Sequence, residues 1–258
     1  LMNDQDSGED KIEKSAKEQG KTAQEIADFY TKKFLEDYDK LNLTRPNKFT
    51  KATHYILDQI NLIKELESKG YTYKTSDGIY YDTSKFENYG QLSGLTAENV
   101  KEGARVEANK EKRNPTDFAL WKFSAGQDRQ QEWNSPWGLG FPGWHIECSA
   151  MCMAELGETI DIHVGAEDLK MVHHQNEIAQ SEACTDKQFV KYWVHGGFLT
   201  INDETMNKTT GNIATVTDII EQGYNPLALR YFYMTAHYRS PLNYTTEALD
   251  AAKNSLNK

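Results

Sequence analysis

The chain has 258 residues, of which 38% are hydrophobic and 26% are charged, enough to bury a sizeable core in one large domain and part of another. Its net charge of −10 gives no general electrostatic surface for nucleic acid, so we expect no DNA partner, and RNA binding would depend on a local surface. It contains no run of about eighteen apolar residues and no signal peptide, which predicts a soluble, cytoplasmic protein without a membrane partner.

The first part of the chain is predicted to be helical. Thr22 and Glu25 have the spacing of a capping box, so a helix should begin at about Lys21. This helix carries an apolar stripe formed by Ile26, Phe29, Tyr30, Phe34, Leu35, Tyr38 and Leu41. A second helix is predicted from about Lys51 to Lys69, with Gly70 as its C-cap and with an inward face formed by Ile56, Ile60, Ile63 and Leu66.

A hairpin is predicted between residues 71 and 81, because Asp77 and Gly78 lie between two segments of alternating polarity. The polar stretch that continues to Pro115 is rich in turn residues, and we interpret it as an insertion that covers an active site. Residues 118–122 are then predicted to return to the core as a short strand.

Potential metal ligands are concentrated between Cys148 and Glu177, although the whole chain has only three cysteines and seven histidines. Residues 160–165 alternate in polarity and predict a short strand, whereas residues 171–184 fit a helix. On that helix His173 and Glu177 project from one face, where they can share a divalent ion with the thiolate of Cys148. Three ligands of mixed type are typical of functional zinc sites.

The same residues also have simpler interpretations. Taken singly, each candidate ligand is more often a packed side chain than a metal ligand. A disulfide between Cys148 and Cys152 is disfavoured, because residues four apart on a helix suit its geometry poorly and so few cysteines indicate a reducing compartment. We expect Cys152 and Cys184 to be structural residues outside the metal shell, so that replacing either with serine leaves the zinc content nearly unchanged.

Several motifs resemble those of the cysteinyl-tRNA synthetases, a family of class I aminoacyl-tRNA synthetases. These motifs are SPWG, PGWHIECSAM, DIHVGAEDL, HHQNEIAQSEA, YWVHGGFL and TAHYRSPLNY. The resemblance implies an α/β fold with a Rossmann-like class I catalytic core that is incomplete at its N-terminus. It also implies an α+β insertion and the start of a helical stem-contact region.

The resemblance divides the chain into four segments. They are residues 1–70, the partial first half of the catalytic fold with its helices; 71–116, the connective insertion; 117–203, the second half with the zinc and cysteine pocket; and 204–258, a KMSKS-like loop and the start of the stem-contact region.

Metal ligands are also implied by the resemblance. It places Cys148, His173 and Glu177 on three of the four zinc positions of the family, which uses two cysteines, a histidine and a glutamate. The other cysteine of the family and its HIGH-type segment have no counterpart in this sequence. One zinc ion would therefore be held by three residues of this chain.

Substrate contacts are implied for three further residues. Trp144 would form a wall of the cysteine pocket, His163 would line the same pocket, and Asp168 would hold the substrate ammonium. From the residues alone, Trp144 is equally compatible with a core aromatic, Asp168 with a helix cap, and His163 with hydrogen bonds to the backbone.

Residues 204–212, ETMNKTTGN, are similar to the KMSKS loop of the family, which contributes lysines to the triphosphate of ATP. Lys208 corresponds to the second lysine and would serve both catalysis and ATP binding as a mobile ammonium group. Thr205 stands where the first lysine is expected. ATP would be a substrate, together with Mg²⁺.

The resemblance therefore implies a cysteine–tRNA ligase, which condenses L-cysteine with ATP to cysteinyl-adenylate and passes cysteine to tRNA(Cys). A substrate thiol that loses its proton can become the last zinc ligand, whereas a serine hydroxyl does not do so readily. Without a HIGH-type segment, we expect the chain alone to be inactive. Two alternatives stay open, namely the cysteine ligase of mycothiol biosynthesis and a non-catalytic module that binds zinc or RNA.

Overall fold

The computed structural model describes residues 11–94, 109–124, 129–206 and 211–256. The chain divides into two compact units. The first contains Leu1–Ile26, Phe49–His163 and Asp168–Trp193, and the second contains Ala27–Lys48, Val164–Glu167 and Val194–Lys258. In the part of the chain that is described, no helix combines the length and the apolar character needed to span a bilayer.

Helices α1 to α3 lie in the first part of the chain, and their bounds are Lys11–Gln19, Ala23–Lys40 and Ile56–Ser68. The predicted capping box of α2 is confirmed. The backbone N–H of Thr22 donates to Glu25 Oε2 over 2.8 Å, and the N–H of Glu25 donates to Thr22 Oγ1 over 3.1 Å. The stripe of α2 is only partly covered, since Ile26 is buried but Phe29, Tyr30 and Phe34 are about half exposed.

The start of α3 differs from the prediction. Residues 52–54 form a 3₁₀ turn instead of the first turn of an α-helix, and Tyr55, with φ −115° and ψ 21°, interrupts the helical backbone before Ile56. The predicted end is confirmed, because Gly70 follows the helix with φ +80°, a conformation that favours glycine.

A five-stranded antiparallel sheet forms the centre of the first unit. Its strands, in the order β1-β2-β3-β5-β4, are Thr72–Lys74, Gly78–Tyr81, Phe118–Phe123, Gly138–Pro142 and Trp133–Ser135. The predicted hairpin is confirmed, because β1 and β2 pair in antiparallel register on either side of Asp77. The strand predicted at residues 118–122 is confirmed as β3, which pairs with β2. The segment boundary predicted at residue 116 therefore lies, along the chain, between β2 and β3, which pair in the same sheet.

Three more helices follow in the chain. They are α4, Trp144–Leu156; α5, Glu167–Met171; and α6, His173–Thr185. The helix predicted over residues 171–184 is thus interrupted at Val172, whose φ of −126° lies outside the α-helical range. Aromatic and aliphatic side chains of the sheet pack against α3, α4 and α6, with Tyr81, Leu120, Trp121, Ile146 and Ala179 among the fully or almost fully buried residues.

Two further strands, β6 (Ile160–Ala166) and β7 (Val190–Gly196), form a two-stranded sheet, and β6 confirms the strand predicted at residues 160–165. The second unit has a three-stranded sheet in which β8 lies between β10 and β9. Its strands are Leu199–Ile201, Glu204–Thr205 and Leu242–Tyr244, numbered β8 to β10 in chain order.

Three helices pack on the sheet of the second unit, namely α7, Val216–Glu221; α8, Pro226–Tyr233; and α9, Thr246–Leu256. The two helices predicted after residue 216, with a turn at residues 223–226, are confirmed by α7 and α8. Their buried core contains Ile201, Ile219, Leu229, Phe232, Tyr244 and Leu249.

Asp117 organises the polar end of the central sheet. Its carboxylate is 1% exposed and accepts hydrogen bonds from Tyr73 Oη at 2.7 Å, from the N–H of Thr83 at 2.9 Å and from the N–H of Asn114 at 2.9 Å. Replacing Asp117 with asparagine would turn an amide N–H₂ toward these donors, so we expect the free energy of unfolding to fall by about 2 kcal/mol.

Urea unfolding monitored by tryptophan fluorescence measures this effect. The matched control is Asp161→Asn, because Asp161 is 81% exposed and its change should stay within about 0.5 kcal/mol. Equal losses in the two variants would contradict the role given to Asp117.

Candidate metal and substrate site

Helices α4 and α6 pack against each other in the first unit and carry most of the predicted ligands. On α4, His145, Cys148 and Cys152 are spaced by three and four residues and therefore share one face. On α6, His173 and Glu177 are four residues apart, as the sequence predicted. Helical spacing thus places the candidate side chains of each helix on one face, and these two faces meet where α4 packs against α6.

The first donor set consists of Cys148, His173 and Glu177. One potential ligand atom from each of these residues lies within 4.8 Å of the others. Within the set, His173 Nε2 is 2.9 Å from Glu177 Oε1. The predicted convergence of these three side chains is confirmed, and their role as metal ligands stays a prediction.

The environment of Glu177 fits a cation. The side chain is completely buried, and neither carboxylate oxygen accepts a hydrogen bond of normal geometry from any described residue. A buried carboxylate without hydrogen-bond donors is costly unless a positive charge compensates it. A thiolate, an imidazole and a carboxylate are also a donor combination that zinc accepts.

Burial governs the protonation of the two thiols. It raises the pKa of Cys148 far above the usual range, and the negative charge of Glu177 raises it further. Burial, again with a contribution from Glu177, raises the pKa of Cys152 to about 12. In the absence of a metal both thiols are therefore protonated at neutral pH, and a metal that binds either sulfur must displace its proton.

A second donor set shares Glu177 with the first. Cys152, His163 and Glu177 also place one ligand atom each within 4.8 Å of the others, and His163 Nε2 is 3.5 Å from Glu177 Oε2. Burial lowers the pKa of His163 more than Glu177 raises it, which favours the neutral imidazole that binds metals. The structure thus revises the expectation for Cys152, whose sulfur lies among potential ligands, whereas Cys184 belongs to neither set within the described residues.

Tryptophan and histidine rings surround both sets. The Trp144 and His173 ring centroids are 4.3 Å apart, and the His163 and Trp193 centroids are 4.8 Å apart. Trp144 and His163 therefore lie beside the candidate ligands, and their roles in the cysteine pocket stay predictions. Asp168 lies exposed in the first turn of α5, and among the described residues it joins neither donor set.

His145 is a part of this site that the sequence analysis missed. Its side chain is 1% exposed, and its Nδ1 is 2.9 Å from Nδ1 of His173. This contact engages one nitrogen of His173 while the other faces Glu177, an arrangement that orients a metal-binding imidazole. The spacing of His145 three residues before Cys148 on a helix was the available signal.

The position of α6 is fixed by hydrogen bonds from other elements of the same unit. Tyr89 Oη donates to Asn176 Oδ1 over 2.7 Å, and the N–H of Leu92 donates to Gln175 Oε1 over 3.0 Å. Tyr81 Oη donates to the carbonyl oxygen of Ala179 over 2.9 Å. These contacts lie within one turn of Glu177 and hold its side chain toward α4.

Only part of the KMSKS-like loop is described. Glu204 and Thr205 form β9, and Asn212 Nδ2 donates to the carbonyl oxygen of Thr205 over 3.2 Å. Lys208, the predicted catalytic and ATP-binding residue, lies outside the described residues, so its role stays a prediction.

The fold is that of class I aminoacyl-tRNA synthetases. Mycobacterium tuberculosis methionyl-tRNA synthetase in complex with methionyl-adenylate superposes with a TM-score of 0.68 over 95% of this chain and 58% of that chain, at 13% sequence identity. A putative arginyl-tRNA synthetase from Campylobacter jejuni gives a TM-score of 0.51 over 86% of this chain and 41% of that chain, at 12% identity. The predicted α/β, Rossmann-like class is thus confirmed.

Sequence comparison identifies the family within this class. The family described as "tRNA synthetases class I (C) catalytic domain" matches residues 3–254, and the chain belongs to it. A cysteine–tRNA ligase from Treponema denticola is 50% identical over 98% of this chain and 52% of the relative. One from Thermococcus onnurineus is 45% identical over 97% of this chain and 52% of the relative. The chain spans about half the length of these curated relatives.

Proposed function

We propose that the chain is the cysteine-recognising part of an enzyme that activates L-cysteine with ATP and transfers it to tRNA(Cys). The observation that carries the proposal is the buried donor set of Cys148, His173 and Glu177 in a member of this synthetase family. The names of the relatives, which are cysteine–tRNA ligases, support a tRNA ligase over an amino-sugar ligase.

The three donors would hold one zinc ion and leave a position free for the substrate. A bound zinc ion supplies a Lewis acid that a substrate thiolate can approach. Other side chains of the protein would shape the pocket beside the ion. The ring of Trp144 packs against His173 and limits the volume beside the donors, and His163 borders the same space through its contact with Glu177.

Discrimination against serine follows from this donor chemistry. A thiol has a pKa of about 8.5 in water and yields a soft thiolate, whereas an alcohol remains protonated and is a poor ligand for a soft site. Differences of this kind exceed the roughly 10- to 200-fold discrimination that a pocket achieves for one methylene group. We therefore propose that cysteine is selected directly by the metal-binding side chains.

The activation step would use residues on either side of the reacting carboxylate. We propose that Asp168 holds the substrate ammonium and that Lys208 contacts the phosphates of ATP, with Mg²⁺ as counter-ion. The ammonium group of Lys208 would stabilise negative charge that develops on the leaving pyrophosphate. Transfer to tRNA(Cys) would then follow on the same enzyme.

Cobalt substitution tests the recognition step with a spectroscopic signal. We expect the first equivalent of Co²⁺ added to the reduced, metal-free chain to give a thiolate-to-cobalt charge-transfer band from Cys148. Adding L-cysteine should increase this band, because a second thiolate joins the ion, whereas L-serine at the same concentration should leave it unchanged. An equal response to both amino acids would contradict direct recognition of the thiol.

A further inference from the structure

Five buried or half-buried donors meet between α4, α6 and β6, and they separate into two sets that have only Glu177 in common. We infer that the chain binds a second soft divalent cation at Cys152, His163 and Glu177, bridged to the first site by the Glu177 carboxylate. The proposed function takes its metal ligands from the first set alone and uses His163 only as a border of the cysteine pocket. The second site therefore goes beyond it and shares the ligand Glu177 with it.

The carboxylate of Glu177 is oriented as a bridge. Oε1 lies 2.9 Å from Nε2 of His173, and Oε2 lies 3.5 Å from Nε2 of His163. Each oxygen therefore faces one imidazole of a different set. Both oxygens carry lone pairs, and neither accepts a hydrogen bond of normal geometry from a described residue, so each can bind its own ion.

The thiols are distributed in the same way. Cys148 and Cys152 are four residues apart on α4, which places one sulfur in each set along the same helix face. Each set thus offers one sulfur, one imidazole nitrogen and one carboxylate oxygen. This donor chemistry is the same as that proposed for zinc at the first set, and it suits soft divalent ions in general.

The charges of the donors can support two ions. Each thiol loses its proton to the solvent when its sulfur binds, without any change of oxidation state. Two divalent ions then face three negative charges, from Cys148, Cys152 and Glu177. These donors balance three of the four positive charges of the two ions.

Aromatic rings hold the second set as they hold the first. The His163 ring lies 4.8 Å from Trp193 and 4.8 Å from His174, measured between centroids, just as the His173 ring lies 4.3 Å from Trp144. The His163 side chain is 13% exposed, so an ion from solvent can reach it. The second set is therefore both oriented and accessible.

Cadmium titration tests this inference on the intact, metal-free chain under reducing conditions. Cd²⁺ is a soft probe whose binding to thiolates is followed by ultraviolet charge-transfer absorption. We expect two equivalents to bind the unaltered chain. C152S should bind one equivalent, and His163→Gln should also bind one. The matched control C184S should still bind two, because Cys184 lies in neither set.

The outcomes separate this inference from the proposed function. Saturation of the unaltered chain at one equivalent would overturn the second site, as would two equivalents in C152S and His163→Gln. If C148S keeps two equivalents while C152S binds one, the second site stands and the zinc site of the proposed function fails. One equivalent in C148S and one in C152S would support both sites.

Discussion

Replacing Cys148 with serine should lower the affinity of the Cys148, His173 and Glu177 set for zinc by about 100-fold or more. Structural zinc sites release roughly 10–16 kcal/mol for four ligands, so each ligand contributes about 3 kcal/mol, or about 100-fold in affinity. The loss at Cys148 should be at least this large, because the set offers three protein donors and a serine hydroxyl replaces its one sulfur.

Competition with a chromophoric chelator under reducing conditions measures this affinity when all variants also carry Cys152→Ser, which removes the second donor set. Cys184→Ser is the matched control, because it makes the same substitution in a half-buried thiol of α6 that belongs to neither donor set. We expect it to change the affinity by less than about threefold. Similar affinities for Cys148→Ser and Cys184→Ser would show that the sulfur of Cys148 does not bind the ion.

The convergence of the first donor set could be predicted because it depends mainly on local geometry. His173 and Glu177 are related by helical periodicity, and Glu177 Oε1 indeed lies 2.9 Å from His173 Nε2. Cys148 lies on α4, which packs against α6, and its motif resembled that of a known family. Local spacing and motif together were sufficient to predict that these three side chains converge.

The second donor set could not be predicted from spacing. Cys152 was expected to be structural, since the sequence does not show which residues of α4 meet β6. That contact depends on how α4, α6 and β6 pack. It also depends on His163 of β6 lying opposite Glu177 of α6. In the same way, the sequence predicted β3 as a strand but not its antiparallel pairing with β2, because strand partners are chosen by tertiary contacts.

The sequence pattern also did not predict how exposed the apolar side chains of α2 are. The apolar stripe of α2 predicted the helix, yet Phe29, Tyr30 and Phe34 are about half exposed. A stripe shows which face is apolar, but coverage of that face is decided by neighbouring elements.

Replacing Gly143 with alanine should lower the free energy of unfolding by about 3 kcal/mol. Gly143 is the N-cap of α4, and its N–H donates to the carbonyl oxygen of Leu120 over 2.9 Å. A Cβ at this position would lie 2.1 Å from the carbonyl oxygen of Ala119. The carbonyl oxygens of Leu120 and Ala119 belong to the backbone of β3 and cannot rotate away, so α4 or the strand must move. Overpacking of this kind costs roughly 1–3 kcal/mol or more.

The same displacement should reach the donor sets, because α4 begins at the next residue and carries Cys148 one turn further on. We therefore expect Gly143→Ala to weaken zinc binding about tenfold as well, since metal sites tolerate little error in ligand position. Gly196→Ala is the matched control, because no heavy atom lies closer than 4.0 Å to the Cβ position there and the φ of Gly196 is not in the left-handed region. Urea unfolding and chelator competition should show little change in this control, and losses of equal size in both variants would mean that the close approach of Gly143 to β3 does not determine where α4 lies.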